Sequence, residues 1–231
     1  MEKRPKKTLA LTLNCGAAGT KLVLVVALFL PVFLAFDSPL KPIEKTADLA
    51  RTTLHGALER ARPKQLVKVY AIVKSRRPDL TDTEAWGISQ AVLDESLKRS
   101  FDPLLVLALI QIESEFQHSA VSPVGARGMM QIMPDTGKYL ADELRRERGL
   151  RPAVFKPEWL DDPLINIRLG TFYLHDLRKK FQNIALALVA YNLGPAEVQN
   201  RIENKIEFSE EFAAAVMDTY RSFKKNPAPR F

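Results

Sequence analysis

Residues 102–116 read Asp-Pro-Leu-Leu-Val-Leu-Ala-Leu-Ile-Gln-Ile-Glu-Ser-Glu-Phe, and this stretch decides the fold. Asp102 followed by Pro103 is a helix start: an acid to cap the first amides, then a proline where no N–H is needed. Leu104–Ile112 is apolar on nearly every side, and a helix of that kind is buried. At 100° per residue, Glu113 shares a face with Val106, Leu109, Ile110 and Phe116. A carboxylate on that face is costly to ionise, so its pKa rises and it keeps a proton near neutral pH, as a general acid must. Glu115 follows two residues later, about 200° round the helix, and is expected to point into solvent instead of facing Glu113. The plainer alternative is that Glu113 marks the helix's exit from the core or pairs with an arginine. Both readings stand at this point.

Working outward, the same punctuation recurs. Asp162-Pro163 starts a helix to about Lys180, Asn183 caps Ile184–Tyr191, and Gly194-Pro195 ends that helix and begins another. Phe208–Phe223 closes the chain. Upstream, Leu80-Thr81-Asp82 caps a helix over Thr83–Arg99, with Trp86, Ile88, Ala91, Val92 and Leu97 as its core residues. Lys64–Arg77 is a helix stopped by Pro78, and Ile43–Arg62 a helix ended by Pro63. An irregular insertion is expected around Arg151–Trp159. No segment alternates with period two over strand length, so the class is mostly α.

The chain has 231 residues, 34 Lys+Arg and 27 Asp+Glu, for a net charge of +7. Residues 1–21 hold five basic residues and one acid, and residues 221–231 hold four basic residues and no acid. The body between carries a charge of −1, so the basic balance is terminal and a nucleic-acid partner is not expected. One cysteine, Cys15, excludes an intramolecular disulfide, and with His55, His118 and His175 scattered, no metal site is expected. No cofactor motif is present.

Lys3–Lys7 forms a positive patch ahead of Leu22–Phe36, 15 uninterrupted apolar residues. Counted from Gly16, with Lys21 snorkelling, the segment has 21 residues and is long enough to span a membrane. A cleaved signal peptide is the competing reading, but a cut after Ala35 puts Phe33 at the −3 position, where a small residue is wanted. We read residues 1–36 as a cytoplasmic basic tail and membrane anchor, with residues 37–231 on the far side of the membrane.

After Phe116 comes a long loop rich in small residues, Ser119–Gly128, leading into Met129-Met130-Gln131-Ile132-Met133-Pro134. Its glycines allow close backbone approach to a ligand, and Gln131 with the methionines suits a surface both polar and apolar, such as a sugar face. A turn that packs methionines into the core is the bland alternative.

Four strings now occur in order: Glu113-Ser114 with Phe116; Gly125-Ala126-Arg127-Gly128-Met129-Met130-Gln131-Ile132-Met133-Pro134; Asp162-Pro163 with Asn166-Ile167, Leu169-Gly170 and Tyr173-Leu174; and Ala190-Tyr191-Asn192-Leu193-Gly194-Pro195. Together, over Thr81–Phe223, they resemble the soluble-lytic-transglycosylase branch of the lysozyme-like superfamily. The resemblance implies a lysozyme-like helical domain at 81–231; residues 37–80, outside the resemblance, read as a linker and helical stalk. It implies a domain that cleaves peptidoglycan glycan strands without a cofactor, and the N-terminal anchor would set that domain on the periplasmic side of the inner membrane. It makes Glu113 the sole catalytic acid/base. Ser114 supports the site, and Tyr191 is suited to hydrogen-bond Glu113. Gln131, Met133 and Asn192 contact substrate.

Two positions depart from the pattern. Met129 stands where leucine is usual, and Phe208-Ser209 with Phe212-Ala213 occupy places where relatives carry Glu-Thr and Tyr-Val. Three further readings are carried forward. Cleavage by water, with Asp135 the nearest second carboxylate, would make the domain a muramidase. Loss of activity would leave a peptidoglycan-binding module. Ile43–Pro78 is a candidate surface for an envelope-complex partner, against its plainer role as a stalk.

Overall fold

Apolar residues at helical spacing, most runs bounded by a proline or an Asx/Thr cap, build a bundle around α3. The computed structural model describes residues 61–147, 149 and 154–225. The anchor at 1–36, the linker from 37 and the helix expected from Ile43 lie outside the described residues. In chain order the helices are α1 (61–76), α2 (Asp82–Lys98), α3 (Pro103–Ser114), α4 (Pro134–Glu147), α5 (Pro163–Phe181), α6 (Ile184–Leu193), α7 (Pro195–Asn204) and α8 (Glu211–Lys225), with a 3-10 turn at Pro157–Asp161 before α5. No strand occurs among the described residues; two isolated bridges, Val121 to Arg127 and Arg127 to Ile132, tie the loop after α3 to itself.

α3 is the axis. Every residue from Pro103 to Ile110 is buried, and α2 and α8 pack on it, while α5 packs on α2 and on α6. Each fully buried Leu or Val contributes about 1.5–3 kcal/mol relative to exposure, so α3 alone is a large part of the fold's stability. Asp102 does two jobs at its start. One carboxylate oxygen accepts from the Leu104 amide at 3.0 Å, and the other accepts from the Tyr220 hydroxyl of α8 at 2.9 Å. Thr81 forms a reciprocal capping box with Glu84 at the start of α2. Asp162 and Asn183 cap α5 and α6, as their positions before Pro163 and Ile184 predict.

The structure departs from the sequence reading in several places. α4 occupies a stretch for which no helix was expected; Leu140 and Leu144 are its buried pair, one turn apart. α1 includes Pro63 instead of ending there, the fixed φ of proline being a helical value. Val69, Ile72 and Val73 of α1 enter the same core as α2, α3 and α8, so residues 61–76 are built into the domain and not into a separate stalk. α8 begins at Glu211, three residues later than expected, where the Ser209 hydroxyl accepts from the Glu211 amide at 3.1 Å. On α2, Ile88 and Val92 are buried, but Trp86 is 41% and Leu97 37% exposed. The buried stripe is Ala85, Ile88, Ser89, Val92 and Ser96, and Trp86 and Leu97 sit one residue off it.

Candidate active site

The last turn of α3 delivers Glu113 to a pocket of about 350 Å³ lined by Ile112–Glu115, Gln117, Ala120–Ser122 and Gln131. The helix carries Glu113 beyond a floor of Val106, Leu109, Ile110 and Phe116, each 0% exposed. Burial alone pushes the Glu113 carboxyl up to about 8. No cation among the described residues pairs with it, so nothing opposes that rise. Among the described residues, then, no arginine partners Glu113.

Ser114 fastens this turn. Its hydroxyl reaches the Ile110 carbonyl at 3.3 Å and donates to the Met129 carbonyl at 2.7 Å, joining α3 to the loop that follows Gly128. Helical geometry ends at Ser114. Glu115 (φ 51°) and Phe116 (φ 65°) are both left-handed, so the 100° rule stops applying at Glu115. Glu115 is exposed, as expected, but it lines the same pocket as Glu113 instead of turning away. Asp135 does not line it; it sits exposed in the first turn of α4.

The loop is held by a polar hub that the sequence reading missed. Asn166, fully buried on α5, accepts from the Met130 amide at 2.7 Å. Its own amide donates to the carbonyls of Arg127 at 2.9 Å and Leu160 at 2.8 Å. Arg127 adds a paired contact to Asp161, at 3.0 and 2.5 Å. Gly128 (φ +79°) passes so close that a Cβ would lie 2.2 Å from both the Asn166 amide nitrogen and the Leu160 carbonyl. Gly170 similarly makes room for the Met130 sulfur, 2.5 Å from where its Cβ would stand. An asparagine on the core face of α5 was the available signal.

Gln131 (φ 46°) reaches the pocket from this loop, with its amide nitrogen donating to the carbonyls of Ala120 at 3.1 Å and Gly128 at 2.9 Å. Its side-chain oxygen accepts from no described residue. Tyr191 does not hydrogen-bond Glu113. Its hydroxyl donates to the Met130 carbonyl at 2.9 Å, because α6 places the ring under the loop. Burial chiefly, and then the charge of Glu113, raises its phenol well above the ordinary range, so it stays a donor. Tyr173 stacks against it at 5.1 Å, its own phenol pushed up to about 12 by burial. Met133 and Asn192 are exposed and do not line the pocket. Glu113, Ser114 and Gln131 are thus brought together, Tyr191 lies beneath, and Met133 and Asn192 stand outside. Met129 is fully buried where leucine was expected, and Phe208 and Phe212 pack against the core.

Comparison with known proteins decides the family. Residues 90–212, more than half the chain, match the transglycosylase SLT domain. The chain belongs to the transglycosylase SLT domain family. Relatives of this SLT chain include the soluble lytic murein transglycosylase of Escherichia coli K12, 35% identical over 99 residues that cover 42% of this chain and 15% of that protein. The membrane-bound lytic murein transglycosylase C of Photorhabdus laumondii is 30% identical over 49% of this chain and 30% of its own length. An inactive glutamate-to-glutamine mutant of lytic transglycosylase Slt from Pseudomonas aeruginosa superposes with a TM-score of 0.51 at 26% identity, over 62% of this chain and 25% of that one. A 70-kDa soluble lytic transglycosylase in complex with bulgecin A gives a TM-score of 0.51 at 26% identity, over the same shares. The SLT chain therefore spans a minor part of the relatives it matches.

Proposed function

We propose that this SLT domain is a peptidoglycan lytic transglycosylase that cleaves the MurNAc–GlcNAc β-1,4 bond with Glu113 as its single acid/base. The observation that carries the reading is a carboxyl at about 8, raised by burial with no cation beside it, at the wall of an open pocket. Glu113 enters the reaction protonated. It gives its proton to the bridging oxygen, and the bond from that oxygen to C1 breaks. The substrate's own N-acetyl oxygen bonds to C1 and takes up the charge, which dispenses with a carboxylate nucleophile. The ionised Glu113 then takes the proton of the muramic C6 hydroxyl. That oxygen attacks C1, displaces the N-acetyl oxygen and closes a 1,6-anhydro ring. Glu113 ends protonated again and no water is consumed.

Ser114 and Tyr191 position the turn and loop that frame the pocket, Gln131 offers an acceptor to the sugar, and Met133 with Asn192 extend the contact surface beyond it. Residues 1–36 are the anchor in this proposal and would hold the domain at the periplasmic face of the membrane. Among the described residues no helix is long and apolar enough to cross a membrane.

Glu115 in the same pocket favours one second reading, hydrolysis with Glu115 directing a water. Digestion of purified sacculi separates the two by mass spectrometry. Anhydro products one water lighter than muramidase products support transglycosylation, and reducing ends support hydrolysis. Sacculus binding without release would identify a binding module.

A further inference from the structure

We propose that the corner between α1 and α2 carries a second saccharide-binding site, apart from the Glu113 cleft, made by Tyr70, Asp82, Thr83 and Trp86. The inference rests on the glycan reading above and extends it to how a long strand is held.

These four side chains line a cavity of about 500 Å³ that shares no residue with the Glu113 pocket. All four precede residues 90–212, the part matched by the family. Trp86 is 41% exposed although it belongs to a helix whose other large apolar residues are mostly buried. Its ring lies 5.6 Å from that of Tyr70, tilted by 60°. The pair is braced before any ligand arrives. The Tyr70 hydroxyl donates to Asp82 at 3.0 Å, Lys74 pairs with the same carboxylate at 3.1 Å, and the Lys74 ammonium also donates to the Leu80 carbonyl. A braced site loses little side-chain entropy on binding.

The lining chooses the occupant. A docking helix needs aliphatic holes for its anchors, and among the described residues that line this cavity none is aliphatic. Two tilted aromatic faces edged by a carboxylate, a hydroxyl and an indole N–H match a pyranose, which has an apolar C–H face and a rim of hydroxyl and amide groups. The corner also adjoins the cleft. Arg77, at the end of α1, donates to the Phe116 carbonyl at 2.8 Å. Asp79 and Glu84, held low chiefly by hydrogen bonds to Arg77 and Thr81, also feel His118. The short segment 116–118 thus borders the α1–α2 corner while its Gln117 lines the cleft.

The test uses the full chain carrying Glu113→Gln, to prevent turnover, and Trp159→Phe, which leaves Trp86 as the sole indole of the two. Uncrosslinked GlcNAc–MurNAc strands are titrated in, and the indole emission is followed. A saturable change is expected, with affinity reduced at least tenfold by Thr83→Arg, a substitution at an exposed position that fills the cavity without touching the core. In the otherwise unaltered chain, Thr83→Arg should raise KM for long strands several-fold, leave kcat unchanged, and leave turnover of tetrasaccharides alone. Emission that does not move while strands still bind, with the unaltered chain cutting them, overturns the second site and leaves the transglycosylase reading intact. An indole already shielded from acrylamide in the free chain also overturns it, since a segment of the chain itself then fills the corner. If the unaltered chain cuts no glycan at all, the activity reading fails, and the Trp86 titration still decides this site alone.

Discussion

The Tyr191 hydroxyl donates to the Met130 carbonyl at 2.9 Å and so pins α6 to the loop that carries Gln131. The hydroxyl makes that bond and no direct one to Glu113. Tyr191→Phe leaves a buried carbonyl without this donor, a loss of about 1–3 kcal/mol. We expect urea denaturation to show that loss. Steady-state kinetics on soluble strands should show kcat reduced about tenfold with KM nearly unchanged, the pattern of a disturbed alignment. An intact kcat would remove Tyr191 from the positioning apparatus.

Asn166 satisfies three backbone groups at once, on Met130, Arg127 and Leu160. Asn166→Ala strands the Met130 amide and the Leu160 carbonyl, while the Arg127 carbonyl keeps its bond from the Ile132 amide, and the expected cost is about 2–4 kcal/mol. Asn166→Asp is the sharper comparison. It can still accept from the Met130 amide but places an oxygen against two carbonyls, so it should be no more stable than the alanine variant. Thermal unfolding of the three proteins in parallel measures both differences.

Two glycines of similar sequence context should behave oppositely. A methyl at Gly170 would lie 2.5 Å from the Met130 sulfur, whereas one at Gly125 meets nothing within 4 Å. Gly125→Ala carries only the strain of φ +88°, about 1 kcal/mol. Gly170→Ala must displace Met130 and with it the loop, at about 2–3 kcal/mol. Its sacculus activity should fall further than its stability explains. Melting temperatures and initial rates on the same samples check the contrast.

The parts of the fold that were legible in the sequence were those with local causes. Asp102-Pro103, Asp162-Pro163 and Asn183 announce helix starts, because a capping side chain acts on amides two or three residues away. The burial beneath Glu113 was legible because periodicity alone puts it on the face of Val106 and Ile110. The failures share a different cause. Glu115 leaves helical geometry at a left-handed residue, so an angular rule could not place it. Tyr191 and Asn166 find partners 61 and 36 residues away at Met130, a pairing set by how α5 and α6 pack against the loop. Trp86 looks like core by composition and lies one residue off the buried stripe. α4 was overlooked because its apolar pair, Leu140 and Leu144, is thin and its remaining surface is charged.

The raised carboxyl of Glu113 has a consequence for stability. Its folded value of about 8 exceeds its ordinary value of 4.5, so between those limits the folded state holds more protons than the unfolded one. Stability is therefore greatest below about pH 4.5 as far as this group is concerned, and it falls as pH rises toward 8. The total effect is on the order of 2–5 kcal/mol, allowing for partial solvation. Glu113→Gln should flatten this slope and be the more stable protein above pH 8. Denaturant titrations across the range, on both proteins, give the two slopes directly.

The proton on Glu113 is the centre of the account, and it can be watched. Carbon-13 NMR of the full chain labelled at the glutamate side-chain carboxyls, with Glu113→Gln supplying the assignment, follows that group alone through a pH titration. A midpoint near pH 8, coinciding with the pH above which glycan cleavage declines, is the predicted result. A midpoint in the ordinary carboxylate range, with cleavage undiminished at neutral pH, would contradict it.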